Sequence, residues 1–176
     1  MKNKRLEKIV IGATAVFIVL ALLFMFGGTI FEGKSEIRKT DSTVMPTATG
    51  TTNEIKKAVV VEQDFINTSD SISKVGIVFN RLAYIEGVDL AMELLDGNKV
   101  LASTTVAVSK IEDQHRTYIE PSSKLTGMAN KKLTIRIYPT SKEDTGLVIM
   151  VDDSAKSTFR FGNKTIKGTL CFSVTE

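Results

Sequence analysis

The chain is poor in the residues that most often carry chemistry. It has a single cysteine, Cys171, so no internal disulfide can form and a disulfide-stapled mini-fold is excluded. It has a single histidine, His115, and no tryptophan, which excludes a histidine-rich metal site. There is no G-x-S-x-G nucleophile elbow and no D-x-[DN]-x-[DN]-G calcium loop. A basic surplus on the bulk of the chain is also missing. Lys2, Lys4, Arg5 and Lys8 against Glu7 give +3, which is the net charge of the whole 176-residue chain, so everything after residue 8 is neutral. Nucleic-acid binding needs that surplus on the folded part, where it displaces counterions from phosphates, so no nucleic-acid partner is expected.

What the chain does have is one long uncharged run. Ile9 to Phe31 is 23 residues without a charge, and Ile9, Phe17, Leu20, Leu23 and Phe26 are among its large apolar side chains. As a helix it would be roughly 34 Å long, enough for a hydrocarbon core of about 30 Å. Only a helix satisfies every backbone polar group there, so one N-terminal transmembrane helix is expected in the lipid bilayer. The flanking Lys2, Lys4, Arg5 and Lys8 place residues 1–8 in the cytoplasm as a basic stub and send the C-terminus outside the plasma membrane. The competing reading is a cleaved signal peptide. It suits the sequence less well, because the run exceeds a typical apolar h-region of roughly 7–15 residues and no A-x-A-like site follows.

Residues 32–57 change character, with Ser or Thr at eight positions and Pro46 and Gly50 as interruptions. Such a segment reads as a flexible linker, reaching roughly 28 Å on average as a coil. The alternative is a short strand at residues 36–39 that joins the following domain.

Residues 58–176 carry strand patterns. Leu133, Ile135 and Ile137 alternate with polar neighbours, as do Leu170, Phe172 and Val174, and Val75, Ile77 and Phe79. Val59 to Val61 and Leu147 to Val151 are apolar throughout, and residues 99–108 are rich in Val and Thr. Asp96-Gly97-Asn98 is a tight-turn signal, and Glu86-Gly87, Thr145-Gly146 and Gly162-Asn163 mark other breaks. Residues 88–95 have good helix formers, yet they also alternate and lead into the Asp96-Gly97 turn, so a strand is favoured. The spacing predicts an all-β domain of about eight antiparallel strands, a sandwich or barrel.

The order of short motifs carries a resemblance. Gln63-x-Phe65 opens a strand, Val75, Ile77 and Phe79 follow, and then come Leu95-Asp96-Gly97-Asn98-Lys99-Val100, Ile119-Glu120-Pro121, Gly127 and Lys132-Leu133-Thr134-Ile135. The pattern resembles the jelly-roll, galactose-binding-like or carbohydrate-module-like domains found outside the membrane in many bacterial envelope proteins. It covers residues 58–176. It implies a jelly-roll β-sandwich that serves as a non-catalytic binding or spacer module. The chain departs from sugar-binding members in lacking Trp, and the resemblance carries over no binding residue.

Candidate chemistry is therefore sparse. His115 sits in the polar run Glu112-Asp113-Gln114-His115-Arg116 and reads as a surface residue. Cys171 reads as a lone structural thiol. The carboxylate pairs Asp152-Asp153, Glu112-Asp113 and Glu143-Asp144 are adjacent in sequence rather than held across a cleft, so no glycosidase pair is expected. Asp152, Asp153 and Asp96 are the best calcium candidates, but without a loop motif the expectation is no metal and no cofactor. Two N-x-[ST] sequons occur, at Asn67 and Asn163. For ligand contact the aromatics are Tyr84 beside Arg81 and Asn80, Tyr118, Tyr138, and the cluster Phe159, Arg160 and Phe161 in residues 154–163, read as a loop; these residues either plug the ends of the sandwich, the favoured reading, or form a recognition loop for glycan or protein. The leading expectation is a membrane-anchored, non-enzymatic module for cell-envelope glycan or polymer. The alternatives are an accessory subunit docking on a larger membrane or cell-surface protein complex and, last, an envelope hydrolase.

Overall fold

In a computed structural model the described residues are 38–40, as backbone, and 44–176. The expected cytoplasmic stub and membrane span lie outside them, with Lys2, Lys4, Arg5, Lys8, Ile9, Phe17, Leu20, Leu23 and Phe26. Among the described residues no helix is long and apolar enough to cross a membrane.

The described part is all-β. In chain order the strands are β1 (Arg38–Thr40), β2 (Gly50–Thr51), β3 (Val61–Asn67), β4 (Ser71–Ile72), β5 (Lys74–Arg81), β6 (Asp89–Asp96), β7 (Lys99–Ala107) and β8 (Arg116–Ile119). Then follow β9 (Leu125–Thr126), β10 (Lys132–Pro139), β11 (Leu147–Asp152), β12 (Thr158–Phe161), β13 (Lys164–Lys167), β14 (Thr169–Leu170) and β15 (Phe172–Thr175). A single 3-10 turn, Val108–Lys110, follows β7.

Two sheets hold most of these strands. The first runs β13-β12-β3-β10-β6-β7, with β1 also on β3; the second is built on β11 and β5, with β14 and β2 on β11 and β15 and β8 on β5. All pairings are antiparallel except β1 with β3. The long-range pairs are nested: β3 pairs with β12, β5 with β11 and β6 with β10. At the bend of this folded ribbon the Glu120 N–H donates to Thr104 Oγ1 of β7 at 3.3 Å.

Alternation makes the sandwich. Val61 and Phe65 of β3, Leu133, Ile135 and Ile137 of β10, and Leu90, Met92 and Leu94 of β6 face one way from the first sheet. Val75, Ile77 and Phe79 of β5, Leu147 and Ile149 of β11, and Phe172 and Val174 of β15 face them from the second. These side chains form one buried cluster, and the Phe65 and Phe172 rings meet across it with centroids 5.0 Å apart. A buried side chain of this size contributes roughly 1.5–3 kcal/mol relative to exposure, so this interleaving is the main stabilising term. The outer faces carry the polar partners in the alternation.

Residues 88–95 form a strand, as the alternation requires, and Gly97 (φ 58°) opens the two-residue turn that follows it. The expected flexible linker needs correction. Arg38–Thr40 joins β3, and residues 49–55 run along β11, with the N–H groups of Thr49, Thr52 and Ile55 donating to carbonyls of Val151, Ile149 and Leu147. Ile55 is fully buried, so the β-domain starts well before residue 58. Period-two patterning cannot flag such pieces, because a strand of two or three residues has no period.

Candidate functional site

Strand β5 ends at Arg81 in an inward position, and the loop 82–88 begins there. The 3-10 turn Val108–Lys110 presents carbonyls toward this point, and that of Val108 already accepts from the Ile111 N–H at 3.1 Å. The Arg81 guanidinium donates through Nη2 to the carbonyls of Val108 and Ser109, each at 3.4 Å, and to that of Ile111. The Arg81 backbone N–H donates to Asp113 Oδ1 at 2.7 Å. Arg81 is therefore held by its surroundings as a clamp on the turn. Its guanidinium carbon also lies 5.3 Å from the centre of the Tyr84 ring, a cation–π distance.

The loop is tied from the other side by Gly146, whose carbonyl accepts from the N–H groups of Leu82 and Ala83 at 2.8 and 3.3 Å. Gly146 has φ 63°, and a Cβ there would stand 2.9 Å from the Ala83 carbonyl oxygen, so only glycine fits without strain. On this fixed base Leu82 and Tyr84 are each 62% exposed, the most exposed large hydrophobic residues of the described chain. Further along the same loop, Ile85, Glu86 and Val88 line an open groove of about 440 Å³ with Lys57, Lys142, Glu143 and Asp144. The Lys57 N–H donates to Asp144 Oδ1 at 3.0 Å and joins its two sides.

Thus Arg81 and Tyr84 come together, while Phe159, Arg160 and Phe161 do not join them. The expected recognition loop is in fact strand β12, paired to both β3 and β13. Strand alternation buries Phe159 in the core, leaves Phe161 half-buried against it, and turns Arg160 outward. The signal was present in the alternation of Phe, Arg and Phe and in the Gly162-Asn163 turn after it.

Arg160 instead begins a cross-strand charge row. Arg160, Glu62, Arg136 and Glu93 lie side by side on β12, β3, β10 and β6. Arg136 Nε donates to Glu62 Oε1 at 2.7 Å, Arg160 donates to Glu62, and Tyr138 donates its hydroxyl to Glu93 Oε1 at 2.9 Å. The Glu62 bond raises the Arg136 pKa, and the Glu93 bond followed by burial raises that of the Tyr138 phenol. Two residues along β3, burial pushes the Asp64 carboxyl up, but Lys132 and the Thr134 hydroxyl outweigh it and hold it below the ordinary carboxylate value. The middle of this sheet's outer face, across β12, β3, β10 and β6, is thus neutralised by its own ion pairs.

The other candidates separate. His115 is exposed and Cys171 is buried. Asp152 caps Ser154, Asp153 accepts from Thr49, and Asp96 pairs with Lys131. Among the described residues no group of three or more His, Cys, Asp or Glu could hold a metal. The Asn67 amide is fully buried and donates to the carbonyls of Ser69 and Met128, so this sequon is closed in the folded chain, whereas Asn163 is exposed in its turn. Comparison with protein-family models and with curated proteins gives no match for the chain.

Proposed function

We propose that the chain is a membrane-anchored, extracytoplasmic, non-catalytic binding module whose ligand is a cell-envelope glycan or polymer, engaged at the loop 82–88. The observation that carries this reading is Tyr84, an aromatic ring held in the open by Arg81 and Gly146 on a loop that further along lines a groove with both carboxylates and lysines. Sugar rings stack on such faces while flanking polar groups fix their orientation, and a pre-set loop spares the ordering cost on binding. The nested pairing of β3 with β12, β5 with β11 and β6 with β10 supports a sandwich of jelly-roll type. The uncharged run at residues 9–31 and the basic residues before it support the anchor and its orientation.

Leu82, equally exposed beside Tyr84, favours a second reading in which the same loop docks on a membrane-protein partner. A glycan array probed with the full chain in neutral detergent separates the two. Binding to a restricted glycan set that Tyr84→Ala abolishes and Leu82→Ser retains supports the glycan reading. An empty array, with a stoichiometric partner that co-purifies only when Leu82 is intact, replaces it with the docking reading.

A further inference from the structure

The outer face of the second sheet differs from that of the first. Ser173 of β15, Gly76 of β5 and Tyr118 of β8 form one row across three strands. A Cβ at Gly76 would stand 2.9 Å from Tyr118 Cε1 and 3.3 Å from Arg116 Cδ, so the missing side chain is what lets the ring and the arginine stem settle on the sheet. Lys74 Nζ lies 4.5 Å from the centre of the same ring. The Ser173 hydroxyl on this row is buried at 5% exposure and has no hydrogen-bond partner among the described residues.

Charge decides what this face could take. On the first sheet Lys132, Arg136 and Arg160 each pair with a carboxylate. No ion pair among the described residues neutralises Lys74 or Arg116. Arg116 is level with Val78, four residues along β5 from Lys74, so the two backbone positions are about 13 Å apart, but both side chains lean toward the ring: the Arg116 stem reaches Gly76 and Lys74 Nζ lies over Tyr118. We propose that the face formed by Lys74, Gly76, Arg116 and Tyr118 binds an anionic polysaccharide, its acidic groups held by the two cations that Tyr118 gathers on the sheet. Two cations gathered on one open face suit a polymer that carries a charge on each repeat. Two cations are too few to hold a domain on an anionic bilayer. The surface is distinct from the Tyr84 loop and rests on the reading above only for the class of polymer.

The test is binding of the full chain in neutral detergent to polygalacturonate, with uncharged dextran and vesicles of phosphatidylglycerol and phosphatidylcholine as comparisons. The expected result is salt-sensitive binding to polygalacturonate, weakened about tenfold in K74Q/R116Q and unchanged in K164Q/K167Q, a matched charge loss on β13. Gly76→Ala, which displaces the ring and keeps both charges, should weaken it about threefold at an unaltered circular dichroism spectrum. The proposal is overturned if polygalacturonate binds no better than dextran, if K74Q/R116Q binds as well as the parent, or if the vesicles bind more tightly than the polymer. Loss of binding in Tyr84→Ala but not in K74Q/R116Q would sink this surface and leave the loop reading standing. The reverse pattern would sink the loop reading and leave this surface.

Discussion

Gln63 shows how a single residue can join the two sheets. It is an inward position on β3, fully buried, yet polar. Its Nε2 donates to the carbonyls of Asp64 and Thr158 at 2.8 and 3.2 Å, and its Oε1 accepts from the Leu170 N–H at 3.2 Å and the Thr169 hydroxyl at 3.3 Å. It thereby ties β12 and β14 together where the sheets part. Gln63→Ala removes these four bonds from a buried position, and is expected to cost about 2–4 kcal/mol in urea unfolding. A loss under 1 kcal/mol would mean that water enters this corner. The importance of Gln63 was not legible in the sequence, where it breaks an apolar alternation and reads as an ordinary strand residue. Arg81 and Tyr84 were legible as neighbours, but not their division of labour. Which of the two holds and which is presented depends on a turn near residue 110, remote in sequence.

Elements add two expectations. Gly146 ends the loop between β10 and β11 and fixes the base of the loop 82–88. Gly146→Ala combines a left-handed backbone, at roughly 1–2 kcal/mol, with a clash against Ala83, so it should lower stability by at least about 2 kcal/mol in urea. It should also weaken glycan binding, because the Tyr84 base shifts with it. The second expectation concerns β3 and β10. Asp64 has a folded pKa below its unfolded value of about 3.9, so its contribution is fully present above that value and is lost as pH falls through the lower folded value. Stability measured from pH 6 to pH 2 should therefore decline below about pH 4, and Asp64→Asn should flatten that decline while lowering stability at pH 6. An unchanged slope in the variant would assign the acid loss to other carboxylates. At this scale the sequence spoke clearly for long strands. β5, β6, β10 and β15 follow their alternation, and the Asp96-Gly97 turn follows its residues. It offered β1 only as an alternative to the linker and was silent on β2, β4 and β9, each two residues long and defined by a neighbour rather than by a pattern.

Across the described residues as a whole, the all-β character was readable because buried faces impose period two on the long strands. The pairing order was not, since it depends on which strand lies beside which. The nested pairs β3 with β12, β5 with β11 and β6 with β10 are tertiary facts. The same holds for the two outer faces, one with a row of ion pairs across its middle and one with Lys74 and Arg116 gathered around Tyr118. The charges were visible in the sequence, but their partners lie on strands far away along the chain. A chain built this way offers a rigid scaffold with its exposed aromatic on a tied loop, which supports the binding reading proposed above. The most direct measurement is co-sedimentation of the full chain with insoluble cell-wall polymer from its source, with the polymer's chain length determined before and after. The account predicts saturable binding that Tyr84→Ala weakens about tenfold or more, with polymer of unchanged length. Absence of binding, binding indifferent to Tyr84, or shortened polymer would contradict it.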